Sequence, residues 1–442
     1  MSTEGLKLDV HLSIEHLHGP EEVPYREDEL VVVCLVRDGR PYVRSFVEHY
    51  LSLGAKHIFF LDNGSTDGTV ETLKNYDNTT VLRSKLPFKE YKFLMRQYLI
   101  DRFGRKDRWC LCVDIDELFD YPYSDVVGLN SFLGYLSSNS YTAVAAQMLD
   151  MFPEEPLSGR EGSPVDEPLK ERLRFYDISN INRTSVKELN YLDDLNNTLE
   201  SDEIEIFRDG IQNTIFGSRL YLTKHPLVFT DGRIKLSDRS SHWVANAKIA
   251  DISCVLFHYK FLDGYFHKQA AQAVRERQYH NNSTRYKRYL EALDRNPTLQ
   301  MKRESARELK GVNDLVENGF LVVSEQYMMM VYNEEEEHKG AGGHTPPLGG
   351  ERGAPEDEAA ALYRARAQAK AQSLRANRLK RHLKELREQN QREVERLSTR
   401  LARFRRKNRT LTQQLQSIRA SRSVRLLNKL ARIRARMLGR KH

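Results

Sequence analysis

The chain is 442 residues long, 40% hydrophobic and 30% charged, with a formal net charge of +7. One compact core rarely extends over such a length, so two or more structural units are expected. No run of about 18 apolar residues occurs, which excludes a membrane-spanning helix, and the polar start, Met1–Glu29, lacks the basic segment and apolar stretch of a secretory signal.

A cytoplasmic location is expected on these grounds, with the triplets such as Asn78-Thr79-Thr80 arising by chance. The net charge conceals an asymmetry. Ala361–His442 holds 26 of the 69 Lys and Arg but only 4 of the 62 Asp and Glu, a local +22, which leaves −15 on the rest. The acidic part reads as a soluble enzyme and the basic part as a segment that seeks phosphates or an acidic surface. Cys34, Cys110, Cys112 and Cys254 lie in apolar runs and read as buried reduced thiols, and the one-residue gap between Cys110 and Cys112 is poor spacing for zinc.

Residues 1–29 read as a polar extension. Leu30–Val36 is a continuous apolar run, the pattern of a strand buried on both faces. Pro41 opens a helix that Gly54 ends near Leu53. His57–Leu61 is a second strand, followed by the turn-rich loop Asp62–Gly68. Thr69–Tyr76 reads as a short helix, Thr79–Arg83 as a third strand, Glu90–Phe103 as a helix and Trp109–Val113 as a fourth strand. This alternation predicts an α/β fold with a mainly parallel sheet flanked by helices, in which ligands bind beyond the carboxyl ends of the strands. Tyr141–Met148 is a further strand. Residues 154–210 read as a long irregular insertion in the 123–332 half, Ala250–Phe257 as another strand and Asp263–Leu293 as one long helix.

Residues 333–357 read as a flexible Gly- and Pro-rich linker. Beyond it, 358–420 reads as a coiled coil: Leu379, Leu383, Leu386 and Asn390, then Leu397, Leu401, Phe404, Asn408, Leu411, Leu415 and Ile418 step by three and four. Val394 breaks the phase. This seam predicts a homo-oligomer. In 421–442, Leu426, Leu430, Ile433 and Met437 line one face and Arg and Lys fill much of the rest, so the segment reads as a basic amphipathic helix for an anionic membrane surface, at the inner face of the membrane. Nucleic acid is disfavoured as a partner, because aromatic residues for base stacking are nearly absent.

The chemistry centres on Asp114-Ile115-Asp116. Strand alternation puts residues i and i+2 on the same side, so both carboxylates project from the end of Trp109–Val113. Two hard oxygen donors suit Mg²⁺ or Mn²⁺, with other ligands from a diphosphate and water. A solvated acidic turn or a helix N-cap would use the same residues.

Three motifs in order give residues 30–122 a resemblance to the nucleotide-binding half of family 2 glycosyltransferases. They are Cys34-Leu35-Val36-Arg37-Asp38, the loop Leu61-Asp62-Asn63-Gly64-Ser65-Thr66-Asp67-Gly68-Thr69, and Trp109 through Asp114-Ile115-Asp116-Glu117-Leu118. His258-Tyr259-Lys260 matches a late motif of one branch. The resemblance implies the GT-A fold and a metal-dependent, inverting transfer of sugar from a nucleotide-sugar donor to a glycan or lipid-linked acceptor, as in bacterial surface polysaccharide assembly. It implies a nucleotide-sugar site made by Arg37, Asp62, Asn63, Asp67, Arg96 and Asp114, and Mn²⁺ or Mg²⁺ on Asp114, Asp116 and His258. Asn63 stands where many members carry Asp. Asp67 is expected to stiffen its loop through local backbone bonds. Inverting transfer needs a general base, for which Asp150 and then Asp209 are the candidates. His242 could complete the same wall, with a structural role favoured, and Lys260 and Lys268 could neutralise the departing diphosphate, with a solvated helix face the simpler explanation. The alternatives are a phosphate-handling enzyme of the same fold and an inactive adaptor that oligomerises through its coiled coil.

Overall fold

All seven residues of the apolar run Leu30–Val36 are buried in the computed structural model. The structure describes residues 3–157, 167–186, 195–237, 242–277, 283–340 and 355–438. It falls into two compact units, Met1–Arg378 and Leu379–His442.

The first unit is α/β, as expected. Its main sheet has eleven strands among the described residues. The first seven in the chain are β1 (Glu15–His18), β2 (Leu30–Val36), β3 (His57–Asp62), β4 (Thr79–Arg83), β5 (Trp109–Val113), β6 (Glu117–Asp120) and β7 (Ala143–Asp150). Parallel pairing joins β4 to β3, β3 to β2 and β2 to β5. The antiparallel strand Leu227–Phe229 then bridges β5 to β7. Lys248–His258 lies parallel to β7 and antiparallel to β6.

Helices α2 (Arg40–Leu53), α3 (Thr69–Leu73), α4 (Phe88–Phe103) and α5 (Leu129–Ser138) follow β2, β3, β4 and β6. Pro41 sits in the first turn of α2, and Gly54 closes it in the left-handed region at φ 104°, where a Cβ is disfavoured. Phe103 of α4 stacks on Phe59 of β3 with ring centroids 3.9 Å apart, fixing that helix on the sheet. The cysteines are free; Cys34, Cys110 and Cys254 are buried and Cys112 is half-buried.

Four stretches of the α/β region differ from expectation. Residues 1–29 include a helix, α1 (Thr3–Ser13), and β1, which pairs antiparallel with β4 and covers the edge of the parallel sheet, a common protection for exposed ladder groups. The strand expected at Tyr141–Met148 runs two residues later, to Asp150. Within 154–210, Ile181–Ser185 and Glu205–Asp209 form an antiparallel pair and Phe175–Tyr176 pairs with Arg307–Glu308, while 158–166 and 187–194 lie outside the described residues. The single helix expected over 263–293 is two, Tyr265–Arg275 and Thr284–Arg295, with 278–282 outside the described residues.

Of the expected linker, 333–340 belongs to a helix, Glu325–Gly340, and 341–354 lie outside the described residues. A helix of 66 residues, Pro355–Ala420, follows. Its turns up to Arg378 belong to the first unit: Ala367 and Leu374 are buried in the main core, Lys370 pairs with Glu317, and Arg375 and Arg378 pair with Glu203. The second unit consists of the rest of that helix and a second one, Arg422–Leu438. No described helix is long and apolar enough to cross a membrane.

Candidate functional site

Asp114 directly follows β5, and a tight turn brings the chain back into β6: the Glu117 amide donates to the Asp114 carbonyl at 3.0 Å. The turn sets three carboxylates, Asp114, Asp116 and Glu117, on one wall of a cavity of about 400 Å³ beyond the carboxyl ends of β2 and β5. Gly39, from the β2–α2 loop, packs so tightly here that a Cβ would stand 2.8 Å from Val36 Cγ2 and 3.0 Å from Ile115 Cγ1. The close approach holds Ile115, and with it the acidic turn.

Register explains why His258 faces this turn. Lys248–His258 lies between β6 and β7, and His258 stands opposite Glu117 on one side and Asp150 on the other. His258 Nδ1 is 2.6 Å from Asp150 Oδ1, and its Nε2 is 3.4 Å from Asp116 Oδ2. Gln212 Nε2 donates to both Asp150 oxygens at 2.8 and 3.0 Å, and Tyr289 donates to Gln212 Oε1 at 2.6 Å. Burial lowers the His258 pKa, but the charges and hydrogen bonds of Asp116 and Asp150 outweigh it and raise it to about 9. Burial likewise pushes the Asp116 carboxyl up, and the charge of His258 brings it below its ordinary value.

Asp114 faces cations. Its Oδ1 forms a short ion pair with Arg96, and its Oδ2 accepts from Lys224 Nζ at 3.1 Å. Lys224 also pairs closely with Glu117. Burial raises the Asp114 carboxyl, but Arg96 and Lys224 overcome that and hold it well below the ordinary carboxylate range. Glu117 is raised, chiefly by burial.

The cavity lining carries more cations than anions. Arg37, Lys92, Arg96, Lys224, Lys260 and Arg285 face Asp38, Asp114, Asp116 and Glu117. Lys260 Nζ lies 5.2 Å from the Tyr286 ring centre and 5.9 Å from that of Tyr289, in cation–π contact. His242 also lines the cavity, with its pKa driven well down by burial and then by Lys224.

The structure therefore brings Arg37, Arg96, Asp114, Asp116 and His258 to one cavity and leaves other candidates outside its lining. Asp62 is fully buried. Its carboxylate accepts from the Gly64 and Ser65 amides at 3.2 and 3.0 Å and pairs with Arg83 at 2.9 Å, so it organises the loop. Asn63 Nδ2 donates to the Ser84 and Leu86 carbonyls at 2.8 and 2.9 Å. Asp67 accepts from the Thr69 and Arg40 amides, both at 3.0 Å, tying the loop to α2. Asp150 is turned to His258 and Gln212. Asp209, at φ 76°, binds Asn182 at 2.5 Å and does not reach the cavity. Sequence reasoning missed Lys224, Gln212, Arg285 and Tyr286. Lys224 lies on a two-residue strand, too short to show a period.

Among the described residues no three His, Cys, Asp or Glu side chains converge as a ready metal site. No family model matches the chain, and no curated protein matches it. In all, 36 chains of solved structures match. One is a nucleotidyl transferase from Methanothermobacter thermautotroptrophicus, 12% identical over 30% of this chain and 67% of that one, with a TM-score of 0.17. A likeness of that size says nothing about activity.

Proposed function

We propose that the cavity binds a nucleotide-sugar diphosphate and transfers its sugar to an acceptor hydroxyl, the reading that the family 2 glycosyltransferase resemblance supplies. The observation that carries it is the pairing of Asp114 and Asp116 at the end of β5 with a surrounding surplus of Arg and Lys. Such a wall complements a diphosphate, whose charge grows as the glycosidic bond breaks. Arg96, Lys224 and Lys260, which line the cavity, would stabilise it.

Mn²⁺ or Mg²⁺ would be held by two protein ligands, Asp116 Oδ2 and His258 Nε2, 3.4 Å apart on the cavity wall, rather than the three expected, because Asp114 is engaged by Arg96 and Lys224. The remaining ligands would be diphosphate oxygens and water, as is usual for these ions. When bound, the cation supplies Lewis-acid stabilisation of the leaving diphosphate. Asp150 acts here as a positioning residue. It fixes the His258 ring through Nδ1 and leaves Nε2 toward the cavity, the arrangement of a metal-ligating histidine backed by a carboxylate. Asp116 and Asp150 favour the protonated ring, so His258 would give up its Nε2 proton to hold the cation. The acceptor would be a glycan or lipid-linked glycan.

The test is slow release of nucleoside diphosphate from a panel of nucleotide sugars with Mn²⁺ present. The wild-type chain is expected to turn over at least one donor, and Asp116→Ala to lose that activity by about 100-fold or more. A wild-type chain that neither binds nor hydrolyses any donor would overturn the reading.

A further inference from the structure

The helix Arg422–Leu438 has 17 residues and no acidic one. Each residue of an α-helix turns about 100° from the last, which sorts this sequence into two sectors. Arg425, Lys429, Arg432 and Arg436 fall in one narrow arc. Leu426, Leu430, Ile433 and Met437 fall in the next, and Leu427, Leu438, Ala431 and Val424 carry the apolar surface on to about half the circumference. Leu426, Leu430 and Met437 are 61%, 55% and 69% exposed.

Two features say what covers this face. A coiled-coil seam is a narrow stripe of residues at three- and four-residue steps, as in the preceding helix; the apolar sector here is much wider. A nucleic acid would engage the basic arc alone, would leave the apolar sector in water, and would find no aromatic side chain on this helix for base stacking. An anionic bilayer uses both sectors, the apolar one against acyl chains and the guanidinium groups at headgroup phosphates. Arg434, the one charge inside the apolar sector, has a stem long enough to reach the headgroups.

We propose that Arg422–Leu438 lies flat on an anionic lipid bilayer. The inference stands apart from sugar transfer, so either can fail alone. The experiment is flotation of the full chain with phosphatidylcholine vesicles, with and without phosphatidylglycerol. Flotation is expected only with the anionic lipid, and is expected to fall as salt rises. Leu430→Asp with Ile433→Asp is expected to cut the bound fraction about tenfold or more, and Arg425→Gln with Lys429→Gln about tenfold. Near-ultraviolet circular dichroism of both variants should match the wild type, since the substituted side chains are exposed. No flotation with anionic vesicles overturns the proposal. So does flotation that the aspartate variant leaves unchanged, or tight binding of polyuridylate by a chain that ignores vesicles.

Discussion

Single side chains in this protein take roles that their sequence positions only half disclose. Asp150 ends a buried strand near the cavity, which suits a general base, but register sets it against His258 and Gln212 takes both its oxygens. Sequence marks the residue as special; the partner comes from a strand pairing that no local pattern encodes. The two roles separate experimentally. Asp150→Asn is expected to lower Mn²⁺ affinity and turnover about 10- to 100-fold, with excess Mn²⁺ restoring much of the rate. Loss of a base would survive any metal concentration and would shift the pH–rate profile. His49 offers a second case. Its Nε2 donates to the Phe119 carbonyl at 2.7 Å, and its Nδ1 lies 3.1 Å from the Lys170 ammonium, which donates to it. Burial, and then Lys170, depress its pKa to about 3. The unfolded chain therefore takes up this proton first as pH falls below about 6.5, and stability is lost progressively from there toward pH 3. By pH 5 the loss is about 2 kcal/mol from this group. Urea unfolding at pH 7 and pH 5 should show a smaller difference in His49→Gln than in the wild type. An unchanged difference would mean that His49 does not carry it.

At the scale of elements, legibility followed periodicity and length. The buried strands Leu30–Val36, His57–Asp62 and Trp109–Val113 announce themselves as apolar runs, and the loops after them place Asp62 and Asp114 at strand ends. Thr223–Lys224 is two residues long and brings the cation that neutralises Asp114 and Glu117; nothing local marks it. Ile181–Ser185, with the sequence INRTS, is a polar strand whose partner lies across residues 187–194. The three- and four-residue steps of the long helix read from the sequence for the opposite reason, because a repeat needs no tertiary context. Leu397, Leu401, Phe404, Leu411 and Leu415 are all exposed along it. Its flanks are basic. In a parallel pair of copies, Arg400 of one helix would face Arg405 of the other, with no acid beside either. Pairing of two copies through this seam is thus expected to tighten as salt screens that repulsion. Sedimentation equilibrium at low and high salt reads it: a several-fold fall in the dissociation constant is the expected result, and weakening with salt would sink self-pairing.

For the molecule as a whole, the charge asymmetry suggests a boundary near residue 360, yet the packing puts it later. Helix Pro355–Ala420 is one continuous element, but only its stretch beyond Arg378 stands as a separate unit. The earlier turns bury Ala367 and Leu374 in the core of the first unit. Basic residues there meet acids of that body: Lys370 on Glu317, Arg375 and Arg378 on Glu203. Lys370–Glu317 and Arg375–Glu203 are solvent-exposed or half-exposed and Arg378–Glu203 is half-buried; pairs near the surface contribute about 0–1 kcal/mol each, whereas burying a leucine side chain contributes about 1.5–3 kcal/mol. Packing therefore outweighs charge in holding these turns, and the +22 of the sequence's end does not mark the functional edge of the fold. A chain ending after Arg378 is expected to melt within about a degree of the full protein. A chain ending after Gly340 exposes the surface that Leu374 and Ala367 cover, and is expected to melt a few degrees lower, the shift that about 2–4 kcal/mol produces in a domain of this size. Calorimetry of the two truncations alongside Leu374→Ala decides the matter. If both truncations melt together, the turns before Arg378 do not belong to the body; if Leu374→Ala reproduces most of the larger loss, the packing of that one side chain is what ties the helix down.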